Sequence, residues 1–206
     1  MYARSTTIRG KPQAMDDGID YIRYKVLPAV QAMNGCVGLS MLGDRESGRC
    51  IITSAWADSE ALHGSRDGVM AMRRRAAEIL DGEAEVQEWE IAVLHRMRGI
   101  HHGACARVIW TEGDPARLDR IVDVFRMSMI PRVEGLPGFC SVSAMIDRRT
   151  GRCSATVIYD SRESLKEAEA PGMAMREAFT QQMGMTISDV AVFDVVLANL
   201  RVPETV

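Results

Sequence analysis

The sequence predicts an α+β protein built from two ferredoxin-like βαββαβ repeats, 1–97 and 105–206, joined by a linker at 98–104. Two observations lead to this prediction. Identical residues recur at one constant offset, as in Pro28 and Pro131, and the segment DRESGRC at 44–50 returns as DRRTGRC at 147–153. The hydrophobic periodicity recurs at the same offset, which indicates that a structural unit has been duplicated.

The first helix of each repeat is indicated by an apolar stripe at helical spacing. The stripe consists of Ile19, Ile22, Val26, Val30 and Met33 in the first repeat, and of Val122, Phe125, Met129, Val133 and Leu136 in the second. Because proline lacks a backbone N–H, we expect Pro28 and Pro131 to kink or thin these helices near their last turns. Asn34-Gly35 and Pro137-Gly138 then end them.

A β-hairpin is predicted to follow each first helix. Val37, Leu39 and Met41 alternate with small residues, and a period of two indicates a strand. The turns fall at 46–48 and 149–151, where a glycine suits a positive φ, and the second strands run over 49–57 and 152–160.

The second helix of each repeat begins near a serine, Ser59 or Ser161, which is a candidate cap. We expect an interruption at 64–68 and at Pro171-Gly172, and final strands at 86–95 and 190–200. This order of elements forms a four-stranded antiparallel sheet with both helices on one face. The bare faces of the two sheets would cover each other, giving an intrachain pseudo-dimeric barrel with the helices outside.

Composition narrows the classes of function. The net charge of −3 provides no basic field for nucleic acid or an anionic membrane, and no apolar run is long enough for a membrane span or a signal peptide, so a cytoplasmic protein is predicted. The five cysteines have no CxxC spacing and are interpreted as small buried apolar residues. His101-His102 is adjacent, which is poor spacing for a metal, so no metal site is expected.

The sequence resembles antibiotic biosynthesis monooxygenase-like domains of the dimeric α+β barrel superfamily. In the first repeat the resemblance rests on Leu27-Pro28, Asn34–Gly38 and Trp56–Leu62, and in the second on Ile130-Pro131, Leu136–Phe139 and Tyr159–Leu165. It implies a tandem version in which one chain forms the barrel that single-copy relatives form as homodimers. It also implies a cavity between sheet and helices in each unit.

The resemblance has consequences for chemistry. The family includes oxygenases that act on polycyclic aromatic substrates without metal or flavin, so no cofactor is expected. Relatives often carry a histidine three residues after the leucine of the second helix, where this sequence has Ser65 and Ala168. Heme-degrading members use asparagine, tryptophan and histidine together, and neither second helix here has a tryptophan. Heme degradation is therefore disfavoured.

Polar or aromatic residues present in only one repeat are the first candidates for a site. Histidine can exchange a proton near neutral pH, so His63 is a candidate catalytic base, although the sequence identifies no carboxylate partner for it. The alternative is an exposed residue at the helix interruption. Candidate ligand-binding residues are Trp110, Tyr24, Trp56 and Tyr159. Trp110 could stack on a flat ligand, and a place in the core or at a dimer interface is the alternative. For the aligned Trp56 and Tyr159 the alternative is packing. Arg73 and Arg176, kept in both repeats, are interpreted as structural or solvated.

Two functional hypotheses follow. The first is a cofactor-independent monooxygenase that acts on a small apolar or aromatic compound. The second is a non-catalytic small-molecule-binding or interaction protein with the same barrel, and the scarcity of paired acid and base groups favours it. Association of whole chains into homodimers is left open.

Overall fold

The computed structural model describes residues 1–200 and 202–205. The strands of the first repeat are β1 (Tyr2–Arg9), β2 (Cys36–Gly43), β3 (Arg49–Trp56) and β4 (Glu83–Arg96). Its helices are α1 (Met15–Tyr21), α2 (Leu27–Gln31), α3 (Ser59–Gly64) and α4 (Arg66–Leu80). A 3-10 turn at Pro12–Ala14 precedes α1, and a π-helical turn at Ile22–Val26 joins α1 to α2.

The second repeat has the same elements in the same order. Its strands are β5 (Cys105–Glu112), β6 (Phe139–Asp147), β7 (Arg152–Tyr159) and β8 (Thr186–Leu200). Its helices are α5 (Leu118–Val124), α6 (Ile130–Val133), α7 (Arg162–Glu167) and α8 (Glu169–Met183), with a 3-10 turn at Pro115–Arg117 and a π-helical turn at Phe125–Met129. None of the helices in the described ranges is long and apolar enough to cross a membrane.

The eight strands pair in the order β1-β3-β2-β8-β5-β7-β6-β4 and close into a barrel, so the predicted α+β barrel of two repeats is confirmed. The equivalent hairpins keep equivalent antiparallel registers, with Gly43 opposite Cys50 and Ile146 opposite Cys153. Each hairpin also has a bulge at the start of its first strand, at Cys36/Gly38 and Phe139/Ser141. The same local deviation in both copies supports a common origin.

The chain divides into two compact units. Unit 1 contains Met1–Trp89 and Asp194–Val202, and unit 2 contains Glu90–Phe193 and Pro203–Val206. Each unit has its own apolar core between helices and strands: Trp56 and Leu80 are among the most buried residues of one, Tyr159 and Met183 of the other. The boundaries predicted from the repeats, with a linker at 98–104, stay a prediction.

The two helix prolines follow a wide helical turn. The Leu27 N–H donates to Ile22 O, and the Ile130 N–H donates to Phe125 O, both across five residues. Pro28 and Pro131 come directly afterwards, as the second residues of α2 and α6. Because proline cannot donate to the carbonyl four residues earlier, the widened turn accommodates the missing bond without ending the helix.

Three local expectations need correction. The cap of α3 is Asp58, whose side chain accepts from the Ala61 N–H, and Ser59 is the first helical residue; Ser161 does cap α7 by accepting from the Ser164 N–H. The second interruption falls at Ala168, so Pro171-Gly172 lies in the first turn of α8, where a proline is tolerated because its N–H would have no helical partner. The final strands β4 and β8 begin three and four residues earlier than predicted.

The hairpin turns have the predicted positive φ, 73° at Gly48 and 78° at Gly151. At Gly151 the turn also packs against backbone: an added Cβ would lie 2.0 Å from Gly113 O, and the Gly113 N–H donates to Gly151 O. Side chains on Asp44 and Asp147 accept hydrogen bonds within the same turns, as expected for hairpin residues.

We therefore expect Gly151→Ala to lower the free energy of unfolding by about 3 kcal/mol, since a left-handed alanine costs about 1–2 kcal/mol and the backbone clash adds to it. Urea unfolding followed by circular dichroism measures the loss. Gly64→Ala is the matched control, because Gly64 is helical and has no atom within 4 Å of an added Cβ. This control should be neutral or stabilising. Equal stability of the two variants would contradict the strain argument.

Candidate functional site

Unit 2 contains an apolar cavity of about 100 Å³ between its strands and its helices. Helical residues form one wall, and these are mainly Ile121, Val122, Phe125, Met129, Val133, Met175 and Phe179. Strand residues form the other wall, and these include Val93, Ile109, Ala155, Val157 and Tyr159. The few polar groups on its surface include the guanidinium groups of Arg107 and Arg176.

Unit 1 has a cavity at the equivalent place, of about 50 Å³. Two pairs of aligned residues have the larger side chain in unit 1. Val69 of α4 lines the smaller cavity where unit 2 has Gly172 of α8, and Ile52 of β3 lines it where unit 2 has Ala155 of β7. Other pairs differ in the opposite sense, since Phe125, Met129 and Phe179 of unit 2 are larger than the aligned Ile22, Val26 and Ala76.

Arg107 brings a buried charge to the larger cavity. Its position in β5 follows from strand periodicity, because Arg107, Ile109 and Thr111 all line the cavity and alternate with residues of the opposite face. The side chain is 3% exposed. Its Nη2 donates to Leu165 O at 3.3 Å and pairs closely with the Glu169 carboxylate. Its Nη1 has no hydrogen-bond partner among the described residues.

Arg176 of α8 is the second basic group of the cavity. Its Nη2 lies 3.6 Å from Glu169 Oε1, so one carboxylate serves both arginines. Glu169 is the first residue of α8 and its side chain is 49% exposed. Arg176 Nη1 is buried and, like Arg107 Nη1, has no hydrogen-bond partner in the described ranges.

The equivalent arginine of unit 1, Arg4 of β1, is fully paired. It donates to Ser65 Oγ at 2.8 Å, to Leu62 O at 2.7 Å and twice to Glu88 Oε1, at 2.8 and 3.1 Å. Burial by itself would raise the pKa of Glu88, but the hydrogen bond and charge of Arg4 outweigh it, so the pKa lies below its ordinary value. Arg4 and Glu88 thus form an ion pair between two strands, whereas Arg107 in unit 2 pairs with Glu169 of helix α8.

Tyr159 and Cys153 of β7 add polar atoms to the wall of the larger cavity. The guanidinium carbon of Arg107 lies 5.8 Å from the centre of the Tyr159 ring. Burial raises the pKa of Tyr159, although Arg107 opposes the shift, so the phenol is neutral at pH 7. Burial also raises the pKa of Cys153 to about 11, and its thiol is neutral as well. The arginines and Glu169 are the charged groups here.

His63 is on the surface of the protein, unlike a catalytic base that lines a buried cavity. Its side chain is 60% exposed on α3, and it does not line either cavity. The sequence identified no carboxylate partner for it, whereas the structure places Glu88 Oε2 at 3.6 Å from its Nε2. That carboxylate is already bound by Arg4. A catalytic role for His63 stays a prediction.

The four candidate aromatic residues lie in different environments in the structure. Tyr159 lines the larger cavity, and its aligned partner Trp56 is completely buried, with its indole N–H donating to Ser54 Oγ. Trp110 lies on the face of β5 opposite Arg107 and makes an edge contact with Phe193 at 6.5 Å. Tyr24, in the first π-helical turn, is 63% exposed. Of these four, only Tyr159 is brought together with the cavity arginines.

The arginine pair is what sequence reasoning missed. Of the two roles predicted for Arg176 from the repeat, structural or solvated, the structure excludes the solvated one, because the side chain is mostly buried and lines the cavity. One signal is present in the sequence: Arg4 and Arg107 are aligned, and each lies in the first strand of its repeat, two residues before Thr6 and Ile109 respectively on the same strand face. A charge repeated on the inward face of a strand indicates a buried pair or a ligand contact.

No protein-family model matches the sequence. Two proteins of Mycobacterium tuberculosis strain H37Rv, the uncharacterized proteins Rv2557 and Rv2558, are 41% identical over 206 residues and 43% identical over 210 residues. Both alignments cover 100% of this chain, and they cover 92% and 88% of the respective relatives.

Solved structures share the fold at low sequence identity. An anthrone oxidase-like protein has a TM-score of 0.68 at 12% identity, with 94% of this chain and 90% of that chain covered. A ferredoxin-fold protein from Listeria monocytogenes, related to antibiotic biosynthesis monooxygenases, has a TM-score of 0.55 at 8% identity, with 95% and 94% covered. The resemblance drawn from the sequence is thus confirmed as a likeness of fold. By its sequence, the chain belongs to the family of the mycobacterial proteins Rv2557 and Rv2558.

Proposed function

We propose that this chain binds a small apolar or aromatic molecule in the cavity of unit 2. The observation that carries the proposal is the cavity itself, which is about 100 Å³, walled by aliphatic, aromatic and methionine side chains and polar at only a few places. Ligand sites of soluble proteins combine these features. Met129 and Met175 are flexible, so the walls can adapt to ligands of different shape.

The size of the cavity sets the expected affinity. An engineered apolar cavity of about 150 Å³ holds benzene, so a single aromatic ring is the most that this cavity of about 100 Å³ is expected to enclose, and a larger ligand requires the flexible methionine walls to move. Burial of roughly 150 Å² of apolar ligand surface at about 25 cal/mol per Å² contributes about 4 kcal/mol, which corresponds to a Kd near 1 mM. Simple aromatic probes should therefore be tested at millimolar concentration.

Methyl NMR of the methionines tests the site directly. On titration with 4-ethylbenzyl alcohol, a neutral probe, we expect the methyl resonances of Met129, Met175 and Met185 to shift, because these side chains line the cavity. Met127 is the matched control, since it lies in the same π-helical turn as Met129 but is 82% exposed. Shifts of equal size at Met127, or none at the cavity methionines, would contradict the proposal.

A second candidate function is oxygenation of the bound molecule without a cofactor. It is favoured by two basic groups and a phenol at the wall of an apolar cavity, because such groups could hold the oxygen of an electron-rich substrate as its anion. The fold shared with an anthrone oxidase-like protein suggests the probe. With anthrone, a CH₂ group and one O₂ would give a C=O group and one water.

An oxygen electrode tests this second function. Stoichiometric oxygen consumption with formation of anthraquinone, above the rate without protein, would support it. Arg107→Met should slow turnover if the arginine holds the substrate anion. His63→Ala and Trp110→Phe test the two residues proposed from the sequence, and unchanged rates in both would remove them from the site. Binding of the neutral probe without oxygen consumption would support the non-catalytic binding function.

A cytoplasmic location and association of whole chains into homodimers belong to the same proposal. Sedimentation at two protein concentrations would test the second of these.

A further inference from the structure

We infer that the ligand of the unit 2 cavity is a monocarboxylate, an aromatic or aliphatic acid whose carboxylate binds to Arg107 and Arg176. The inference rests on the proposed function and specifies its ligand class. Its starting point is the Arg107 Nη1 group, which is buried, lines an otherwise apolar cavity and has no hydrogen-bond partner among the described residues. A buried donor without a partner is costly, and an acceptor on the ligand would satisfy it.

The duplicated repeat acts as an internal comparison. In unit 1, Arg4 is satisfied by the side chains of Ser65 and Glu88 and by Leu62 O. In unit 2 the carbonyl is kept as Leu165 O, but the two side-chain acceptors are replaced at the aligned positions by Ala168 and Ala191. The arginine has thus been retained, its carboxylate partner has changed from Glu88 of β4 to the half-exposed Glu169 of α8, and its Nη1 has lost the hydroxyl acceptor that Ser65 provides for Arg4.

The charge balance of the cavity favours an anion. Two guanidinium groups share one carboxylate, that of Glu169, which is about half exposed. Tyr159 is the other titratable oxygen beside Arg107, and its raised pKa keeps it neutral. Among the described residues, one positive charge at the cavity wall is therefore left without a counter-charge. A carboxylate would supply it with two oxygens for the two free Nη1 groups.

The walls define the rest of the ligand. Apart from the arginines, the cavity is lined mainly by aliphatic and aromatic side chains, so a second charge on the ligand would be desolvated without a partner. That argues against a phosphate ester or a dicarboxylate. Gly172 places no side chain beside Arg107, because a Cβ added there would be at contact distance, 3.6 Å, from Arg107 Nη1. A ligand with one carboxylate and a single ring or short chain matches a lining of two arginines and apolar walls.

The test compares two probes of nearly equal shape, 4-ethylbenzoate and 4-ethylbenzyl alcohol, by isothermal titration calorimetry at pH 7. We expect the acid to bind the wild-type chain about 10-fold to 100-fold more tightly, as hydrogen bonds to charged groups allow. Arg107→Met should remove most of that preference and change the affinity for the alcohol by less than about threefold. Arg120→Met, which removes an exposed charge of α5 outside the cavity lining, should leave both affinities unchanged.

A second variant separates a charge effect from a folding effect. Glu169→Gln removes the competing carboxylate and keeps the shape, so it should tighten binding of the acid severalfold and leave the alcohol unchanged. Equal affinities of acid and alcohol for the wild-type chain would overturn the inference while the proposed function stands. Weaker binding of the acid to Glu169→Gln would also overturn it. If neither probe binds, both the inference and the proposed function fail.

Discussion

Arg4→Met should lower the free energy of unfolding by about 2–4 kcal/mol, whereas Arg107→Met should cost less than about 1 kcal/mol. The two arginines are aligned and equally buried, so burial alone predicts equal losses. Their partners differ. Removal of Arg4 takes two hydrogen bonds from the Glu88 carboxylate, which is 30% exposed, and also removes the bonds to Ser65 Oγ and Leu62 O. Removal of Arg107 takes away the Nη2 bonds to Leu165 O and Glu169 together with the unsatisfied Nη1, and Glu169, which is 49% exposed, stays solvated beside Arg176.

Urea unfolding of both variants measures the difference, with Arg120→Met as the control for loss of a surface charge. Stability should also depend on pH. Because the folded-state pKa of Glu88 lies below its ordinary value of 4.5, its pairing contributes fully above that pH. The contribution is lost as the pH falls through the folded-state pKa. The difference in unfolding free energy between wild type and Arg4→Met should therefore become smaller in acid. Equal losses of unfolding free energy for Arg4→Met and Arg107→Met at pH 7 would refute the predicted difference between the two arginines.

Filling the larger cavity with the residues of the other repeat should abolish ligand binding. In the double variant Gly172→Val and Ala155→Ile, six added carbon atoms occupy the space that Val69 and Ile52 occupy in unit 1. Binding of 4-ethylbenzyl alcohol and 4-ethylbenzoate should fall more than about tenfold, since overlap with the ligand forfeits its apolar burial. The Gly172 backbone is helical and its nearest side-chain neighbours would be at ordinary contact distance, so the fold should tolerate the change.

Calorimetric titration and urea unfolding of the double variant provide the two readouts. The matched control is the reverse exchange, Val69→Gly with Ile52→Ala, which enlarges the cavity of unit 1. It should lose about 3 kcal/mol or more of unfolding free energy, because buried apolar groups are removed and a cavity remains. Retention of wild-type ligand affinity by the filled variant would show that the probes bind elsewhere.

Much of the fold was predictable because it depends on local pattern. The helical stripe from Ile19 to Val30 and the alternation of Leu39 and Met41 face the core as predicted, since periods of 3.6 and 2 follow from backbone geometry. The glycine turns at Gly48 and Gly151 have the positive φ that their residue type favours. The errors are at element ends, where Asp58 competes with Ser59 for the cap and Pro171 is acceptable inside a first helical turn.

The candidate site was much less predictable. His63 and Trp110 are candidates because one repeat has them and the other lacks them, and neither of them lines the cavity of unit 1 or of unit 2. The same comparison favours a scaffold role for Arg176, which is aligned with Arg73, and it does not select Arg107, which is aligned with Arg4. What differs between the copies is the set of partners, Ser65 and Glu88 for Arg4 against Glu169 for Arg107, and those partners come from other elements of the fold. No spacing along the chain marks them as neighbours.

The sequence by itself determined the duplication, the order of the elements and the class of fold, because each depends on residue type, offset and periodicity within one stretch of chain. Only the tertiary structure decided which repeat has the larger cavity, which arginine is satisfied and which aromatic side chain lies beside it. Those properties depend on contacts between strands and helices far apart in sequence, such as Arg4 with Glu88 and Arg107 with Glu169. Such contacts depend on how the strands and helices pack together, and packing cannot be inferred from local sequence pattern.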